Sequence, residues 1–146
     1  MRRLATLLVV AMLTTTGCAF LTGQSDAPKA SLYERLGGTG PITAVVVKFV
    51  TIVAGDKRIN GYFAKADIVG LKKHLINMVC QASGGPCEYT GRDMKTTHKG
   101  MKITEAAFNA LVQDLIEALN TFNVPAQEQG ELLAVLGPMK ADIVEK

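Results

Sequence analysis

One segment of this chain restricts its fold more than any other: a run with apolar side chains at helical spacing and a helix signal at each end. Asp67 precedes the run, and its carboxylate is suited to accept the unpaired N–H groups of a first helical turn. Gly84-Gly85-Pro86 ends it, because a helix does not continue through such a sequence. Its apolar stripe consists of Leu71, Leu75, Met78 and Ala82. We therefore predict an amphipathic helix that packs one face on a core.

Four further helices are predicted, which makes the domain all-α. The clearest start is "SLYE", a capping box in which Ser31 caps the helix and Glu34 reaches back to it. Gly37-Gly38 ends that helix after a few residues. The other helices are expected at Pro41 to Gly55, Thr104 to Asn123, and Pro125 to a kink at Gly137-Pro138. The sequence has no tryptophan and 5% aromatic residues, so the core is expected to be mainly aliphatic, which favours helices over a β-sandwich.

The N-terminus is typical of an export signal. Arg2 and Arg3 precede an apolar run from Leu4 to Leu13, which is much shorter than the ~20 residues of a membrane-spanning helix. Removing the two arginines leaves 14 of the 16 basic residues against 13 acidic ones. The mature chain is then close to neutral, and we expect no nucleic-acid partner.

The end of this signal resembles a bacterial lipobox. Small residues lead to Gly17-Cys18, although Thr15 stands where the motif prefers leucine. We expect residues 1–17 to be a lipoprotein signal peptide and Cys18 to carry the lipid that anchors the chain to the membrane. Residues 18–30 read as a tether, followed by a domain over residues 31–146 in the cell envelope, facing the periplasm. The alternative is an ordinary secretory signal and a soluble periplasmic or secreted protein.

Two more cysteines lie close together in "CQASGGPC". Outside the cytoplasm such a pair favours a disulfide between Cys80 and Cys87, whereas a metal site would need further ligands nearby.

The segment that follows this pair is the least explained part of the sequence. Residues 84–103 show little apolar periodicity and are predicted to form a long connection, a kind of segment that is uncommon in a compact domain unless it is functional. The connection contains His98, one of two histidines. The other, His74, lies on the apolar stripe of the predicted helix and needs a partner for its ring nitrogens. Taken alone, each histidine fits a structural role better than a metal ligand.

Several motifs taken together resemble the group 1 truncated haemoglobins. They are "LYERLGG", "GYF", and "QASGGPCEYTGRDMKTTHKGMKIT" before an apolar helix, and the resemblance extends from about Ser31 to the C-terminus. It implies a two-over-two helical sandwich around haem b, with His98 as the proximal iron ligand. The second ring nitrogen of His98 should then donate to a backbone carbonyl. The implied function is reversible binding of O2, NO or CO.

The resemblance also implies which side chains contact the haem. Phe63 matches a phenylalanine that packs on the porphyrin, and Phe49 and Val50 are expected on the distal side. The family commonly has tyrosine at the position of Val50 and a polar residue at Leu71 or Leu75, so this distal pocket is unusually apolar. The remaining expected contacts are Met78 on the distal side and Met94, Ile103, Phe108, Leu111 and Val112 on the proximal side.

His74 matches a histidine that binds the sixth iron position in cyanobacterial relatives. Three roles stay open for it: a second iron ligand, a partner of a haem propionate, or a distal hydrogen-bond donor. A bis-histidine haem would suit electron transfer, or NO, peroxide or nitrite chemistry with an electron-donor protein. The disulfide would join the distal helix to the segment that carries His98. A haem-free structural lipoprotein is the less favoured alternative.

Overall fold

The computed structural model describes residues 29–145, which form helices and no β-strand. The predicted all-α class is therefore confirmed. The predicted signal peptide, Cys18 and most of the tether lie outside the described residues. In chain order the elements are α1 (Leu32–Arg35), α2 (Thr39–Gly55), a 3-10 helix (Asn60–Phe63), α3 (Ile68–Ala82), α4 (Met94–His98), α5 (Glu105–Thr121), α6 (Ala126–Leu136), a second 3-10 helix (Gly137–Met139) and α7 (Lys140–Ile143).

The junction between α1 and α2 follows the capping signals. The Ser31 hydroxyl accepts the N–H of Glu34, and the Glu34 carboxylate accepts the N–H of Ser31 at 2.7 Å. Gly38 has φ +81°, a conformation that L side chains rarely adopt, and it caps α2. The helix therefore begins at Thr39, two residues before the predicted start at Pro41. Pro41 still lies in the first turn, where a missing N–H costs no helical hydrogen bond.

Helix α2 is the centre of the packing. It contacts α3 along one side and α5 along another, while α1 contacts α6 and α4 contacts α7. Its inward stripe consists of Ile42, Val45, Val46, Phe49, Val50 and Val53. Among the described residues, the largest side chains with almost no exposure are Leu119 of α5 and Leu132 of α6, followed by Cys80. Within residues 29–145 we find no helix with the length and apolar character needed to cross a membrane.

A polar cluster fixes the segment between α2 and the first 3-10 helix. Arg58 pairs with Asp56 at 2.7 Å and reaches Gln113 of α5 at 2.7 Å. Asp114, 3% exposed, lies 3.6 Å from the same guanidinium. Burial raises the pKa of the Asp114 carboxyl, while hydrogen bonds from Arg58 lower the pKa of Asp56. Asp56 is therefore the main partner of Arg58. The cluster joins the segment before the first 3-10 helix to α5.

The connection over residues 84–103 contains a helix that we did not predict. Asp93 caps α4, since its carboxylate accepts the N–H of Thr96 at 2.8 Å, and this bond is the largest cause of the lowered pKa of Asp93. Helix α4 has five residues and no buried side chain. Its sequence, MKTTH, has one apolar residue and therefore no apolar stripe, and the Asp93 cap is the available signal.

Candidate functional site

The described residues form a mostly apolar cavity of about 550 Å³ that is partly open to solvent. Its walls come from α2, the first 3-10 helix, α3, α4, α5, the loop before α4 and the C-terminal helices. This volume lies in the range of small-molecule and cofactor pockets. Eleven of the residues singled out in the sequence line it: Phe49, Phe63, Leu71, His74, Leu75, Met78, Met94, His98, Phe108, Leu111 and Val112.

Two residues that were expected at this cavity lie elsewhere. Val50 and Ile103 are 9% and 8% exposed and belong to the hydrophobic core, and they are not among the residues that line the cavity. Val50 follows Phe49 on α2, and successive helical residues point about 100° apart, so both cannot face the same space equally. Ile103 lies just before α5, where its carbonyl accepts the N–H of Glu145 at 3.0 Å. Contact of Val50 and Ile103 with a bound cofactor stays a prediction.

Several cavity residues were missed by the sequence reasoning. The last helices contribute apolar side chains, and Leu133 and Leu136 have a helical spacing that was visible in the sequence. The loop before α4 contributes residues that no periodicity marks. The missed set is Tyr89, Thr90, Gly91, Arg92, Thr97, Leu115, Leu133, Leu136, Gly137, Met139 and Ile143.

His98 stands at the C-terminal end of α4 with one ring nitrogen engaged. Its Nδ1 lies 2.8 Å from the carbonyl oxygen of Met94, one turn earlier. A carbonyl only accepts, so Nδ1 carries the proton in this contact and Nε2 of the neutral ring keeps its lone pair. This is the arrangement expected of a metal-ligating histidine, whose second nitrogen donates to a backbone carbonyl.

The turn after His98 is held by the C-terminal segment. The backbone N–H groups of Gly100 and Lys102 both donate to the carboxylate of Glu145, the second at 2.9 Å. Glu145 is 43 residues from Lys102 in sequence, so no local sequence pattern predicts this contact. The two hydrogen bonds, together with packing of α4 on α7, restrict the position of His98.

His74 lies on α3 and also lines the cavity. Its Nδ1 is buried and has no hydrogen-bond partner among the described residues. An unpaired buried nitrogen is costly, so a partner that the protein atoms do not supply is expected there. The other α3 residues in the wall, Leu71, Leu75 and Met78, are apolar. The imidazole is thus the polar group that α3 presents to the cavity.

The predicted disulfide is present in the structure. Cys80 and Cys87 are bonded, with their Cα atoms 5.7 Å apart. Cys80 lies near the end of α3 with 0% exposure, and Cys87 lies in the loop that continues to α4. The bond therefore joins the helix of His74 to the segment that leads to His98.

These features fit an iron porphyrin. The apolar walls suit a flat, largely hydrophobic macrocycle, and His98 offers an unprotonated ring nitrogen to a metal. The described residues hold no group of three or more His, Cys, Asp or Glu side chains that could bind a bare metal ion. The geometry defines a helical cofactor-binding domain of the haem-protein type.

Comparison with known proteins gives the family. A model for bacterial-like globins matches residues 31–145. The chain is 33% identical over 117 residues to the group 1 truncated haemoglobin of Mycolicibacterium paratuberculosis. The aligned region covers 80% of this chain and 86% of that protein.

Solved structures agree with the family match. The truncated haemoglobin of Tetrahymena pyriformis in its Fe(III) form is 28% identical, with a TM-score of 0.77. The 2/2 haemoglobin of a Synechococcus species, in the cyanomet state with covalently attached haem, is 29% identical, with a TM-score of 0.75. Each match covers 80% of this chain and 100% of the other. The chain belongs to the bacterial-like globin family, among the group 1 truncated haemoglobins. It is a haem-binding globin for diatomic ligands, and the two-over-two fold is confirmed.

Proposed function

We propose that this globin holds haem b through Nε2 of His98 and reversibly binds O2, NO or CO. The observation that carries the proposal is the hydrogen bond from His98 Nδ1 to the Met94 carbonyl, at the edge of an apolar cavity. Iron protoporphyrin, when bound, supplies the coordination position at which a diatomic gas binds. The hydrogen bond orients the ring and raises the basicity of Nε2. The apolar walls exclude water from the cofactor.

The distal wall has few groups that could stabilise a polar gas ligand. Helix α3 contributes one imidazole and otherwise apolar side chains. The hydroxyl of Tyr89 donates to the carbonyl of Arg92 at 2.8 Å, so it is already engaged. Burial raises the pKa of this hydroxyl, which keeps it protonated in that bond. We therefore infer that His74 is the main distal donor, and that chemistry requiring strong stabilisation of O2, such as NO dioxygenation, is less favoured than simple binding.

A second function is supported by the unpaired Nδ1 of His74. An imidazole that lines the same cavity as His98 and lacks a partner suits a second iron ligand. A haem held by two histidines would suit electron transfer, or NO, peroxide or nitrite reduction with an electron-donor protein. The role of His74 separates this function from simple gas binding.

We also propose that the protein is an exported lipoprotein anchored through Cys18 and facing the periplasm. The support is the sequence "MRRLATLLVVAMLTTTGC", with its basic start, apolar run and Gly17-Cys18 ending. Labelled palmitate should be incorporated into the wild-type protein and not into the Cys18→Ser variant. Equal labelling of the wild-type protein and the Cys18→Ser variant would contradict lipidation at Cys18.

The haem proposal is tested by the visible spectrum of the exported protein purified after haem supplementation. We expect a Soret band, and a shift of that band when the ferrous protein takes up CO. Pyridine extraction should release haem b, because a non-covalently held protoporphyrin leaves the protein. A protein that is folded by circular dichroism yet shows no Soret band would support the haem-free structural alternative.

A further inference from the structure

We propose that Tyr89 is a positioning residue for His74, and that the Cys80–Cys87 disulfide controls this contact. Opening the disulfide would then change access of ligands to the haem. The inference rests on the proposed place of His74 beside the haem. It adds a specific residue and a redox-sensitive bond to that site.

The contact between the two rings is direct. Their centroids are 6.0 Å apart and their planes meet at 72°, an edge-to-face arrangement. Such pairs stabilise one orientation of each ring beyond the burial of apolar area. No hydrogen bond to His74 Nδ1 from the described residues fixes the imidazole, so its contact with the Tyr89 ring is a direct restraint on the orientation of the ring. Both side chains line the cavity, so this orientation bears on the haem site.

Tyr89 is itself held by its own loop. Its hydroxyl donates to the carbonyl of Arg92, and its backbone N–H donates to the side-chain oxygen of Gln81 at 2.5 Å. Gly91 provides the space for the ring, because a Cβ at that position would lie 2.4 Å from the Tyr89 hydroxyl oxygen. The ring is therefore placed by the conformation of residues 89–92 and by an attachment to the end of α3.

The disulfide is the covalent part of that attachment. Cys87 precedes Tyr89 by two residues, and Cys80 is six residues after His74 on α3. With the bond closed, the loop is covalently tied to α3 two residues before Tyr89, next to the hydrogen bond between Tyr89 and Gln81. With the bond open, the described links between the loop and the end of α3 include the Gln81 hydrogen bond, the hydrogen bond from the Gly85 N–H to the Cys80 carbonyl at 2.8 Å, and the packing of Gly85 on Cys80. The position of Tyr89 then becomes less restricted.

The redox step needs a dithiol reductant. A thiolate of the reductant attacks the sulfur of Cys87, which is half-buried, whereas that of Cys80 is inaccessible. The sulfur–sulfur bond of the chain breaks and Cys80 leaves as a thiolate that takes a proton. The second thiol of the reductant then releases Cys87. Two electrons and two protons pass to the chain, and the reductant becomes a disulfide.

The test is a set of haem-loaded proteins: wild type, Tyr89→Leu, Cys80→Ala with Cys87→Ala, and the triple variant. The readout is the rate of CO association with the ferrous protein. Tyr89→Leu should raise this rate about two- to twelvefold, the range to which the strength of an edge-to-face ring pair converts. The cysteine variant should also raise the rate, by no more than Tyr89→Leu does, and the triple variant should match Tyr89→Leu. An unchanged rate in the cysteine variant would overturn the role of the disulfide. If the two effects multiply in the triple variant, the disulfide does not act through Tyr89 and the inference is overturned.

Two further arms keep the result interpretable. Wild type treated with dithiothreitol should match the cysteine variant, which guards against a folding defect in the latter. Tyr62→Leu is the matched control, because Tyr62 packs on the core and does not line the cavity, and its CO rate should stay near wild type. A nuclear Overhauser contact between the Tyr89 and His74 rings is expected in the diamagnetic ferrous CO complex, and its absence in wild type would overturn the positioning role.

The outcome also separates this inference from the proposed function. If His74→Ala changes the CO rate and Tyr89→Leu leaves it unchanged, the positioning role of Tyr89 is wrong and the role of His74 stands. If His74→Ala has no effect on the CO rate, His74 does not occupy the sixth iron position, and both that role and the positioning role of Tyr89 are wrong.

Discussion

Replacing His98 with glycine is expected to abolish stable haem retention. His98 is the cavity residue with one ring nitrogen fixed on a carbonyl, and its loss removes the proposed bond to iron. Loss of outer-shell partners alone costs metal sites about 10- to 100-fold in affinity, so loss of the ligand should cost at least about 100-fold. The measurement is transfer of haem to an excess of a haem-accepting apoglobin, followed at the Soret band.

Rescue by free imidazole distinguishes ligation from a folding defect. The glycine variant leaves a space where imidazole can bind, so adding it should restore haem retention and a wild-type-like spectrum. The matched control is His74→Gly, which removes the other cavity histidine and should retain haem far better than the His98 variant. If the His98 variant loses haem no faster than wild type, the proximal assignment is incorrect.

Replacing His74 with alanine is expected to change the spin state of the iron. If His74 is the second ligand, ferric and ferrous wild-type protein should be six-coordinate and low-spin, and the variant should be high-spin. Ligand association should also accelerate, because a site that is open for a small fraction of the time binds with an affinity reduced by that fraction. We expect at least about a tenfold rise in the CO association rate, measured after flash photolysis.

The other roles of His74 predict different results from the same variant. Unchanged spectra combined with faster O2 dissociation would identify a hydrogen-bond donor, whereas unchanged spectra and O2 dissociation with faster haem loss would identify a propionate partner. Lys73→Ala is the matched control, since Lys73 is the exposed neighbour of His74 on α3 and does not line the cavity. The same high-spin change in both variants would indicate a general disturbance of α3 and not a lost ligand.

Local signals in the sequence predicted most helix ends. These signals are the capping box at Ser31, the caps at Asp67 and Thr104, and the glycines Gly84-Gly85 that end α3. Each depends on atoms within a few residues of one another. For that reason the bounds of α1, α3 and α5 agree closely with expectation. Helix α4 was missed because it has a cap and no apolar stripe.

The sequence predicted part of the candidate site, and there is a physical reason why it did not predict the rest. Motif resemblance led to His98, His74 and nine further cavity residues, because those positions lie on helices of regular spacing or in the matching segment. It also named Val50 and Ile103, which pack in the core and are not among the residues that line the cavity, because helix rotation and core packing decide which side chains reach it. The identity of a single residue determines neither helix rotation nor core packing.

The sequence by itself determined that the domain is helical, where its main helices are capped, and that Cys80 and Cys87 are positioned to pair. These depend on short-range hydrogen bonds, turn geometry and apolar periodicity. The tertiary structure decided that Glu145 holds the turn after His98, and that Tyr89 meets the ring of His74. Such contacts join parts of the chain through irregular segments, which carry no periodic signal, so they emerge when the helices have packed.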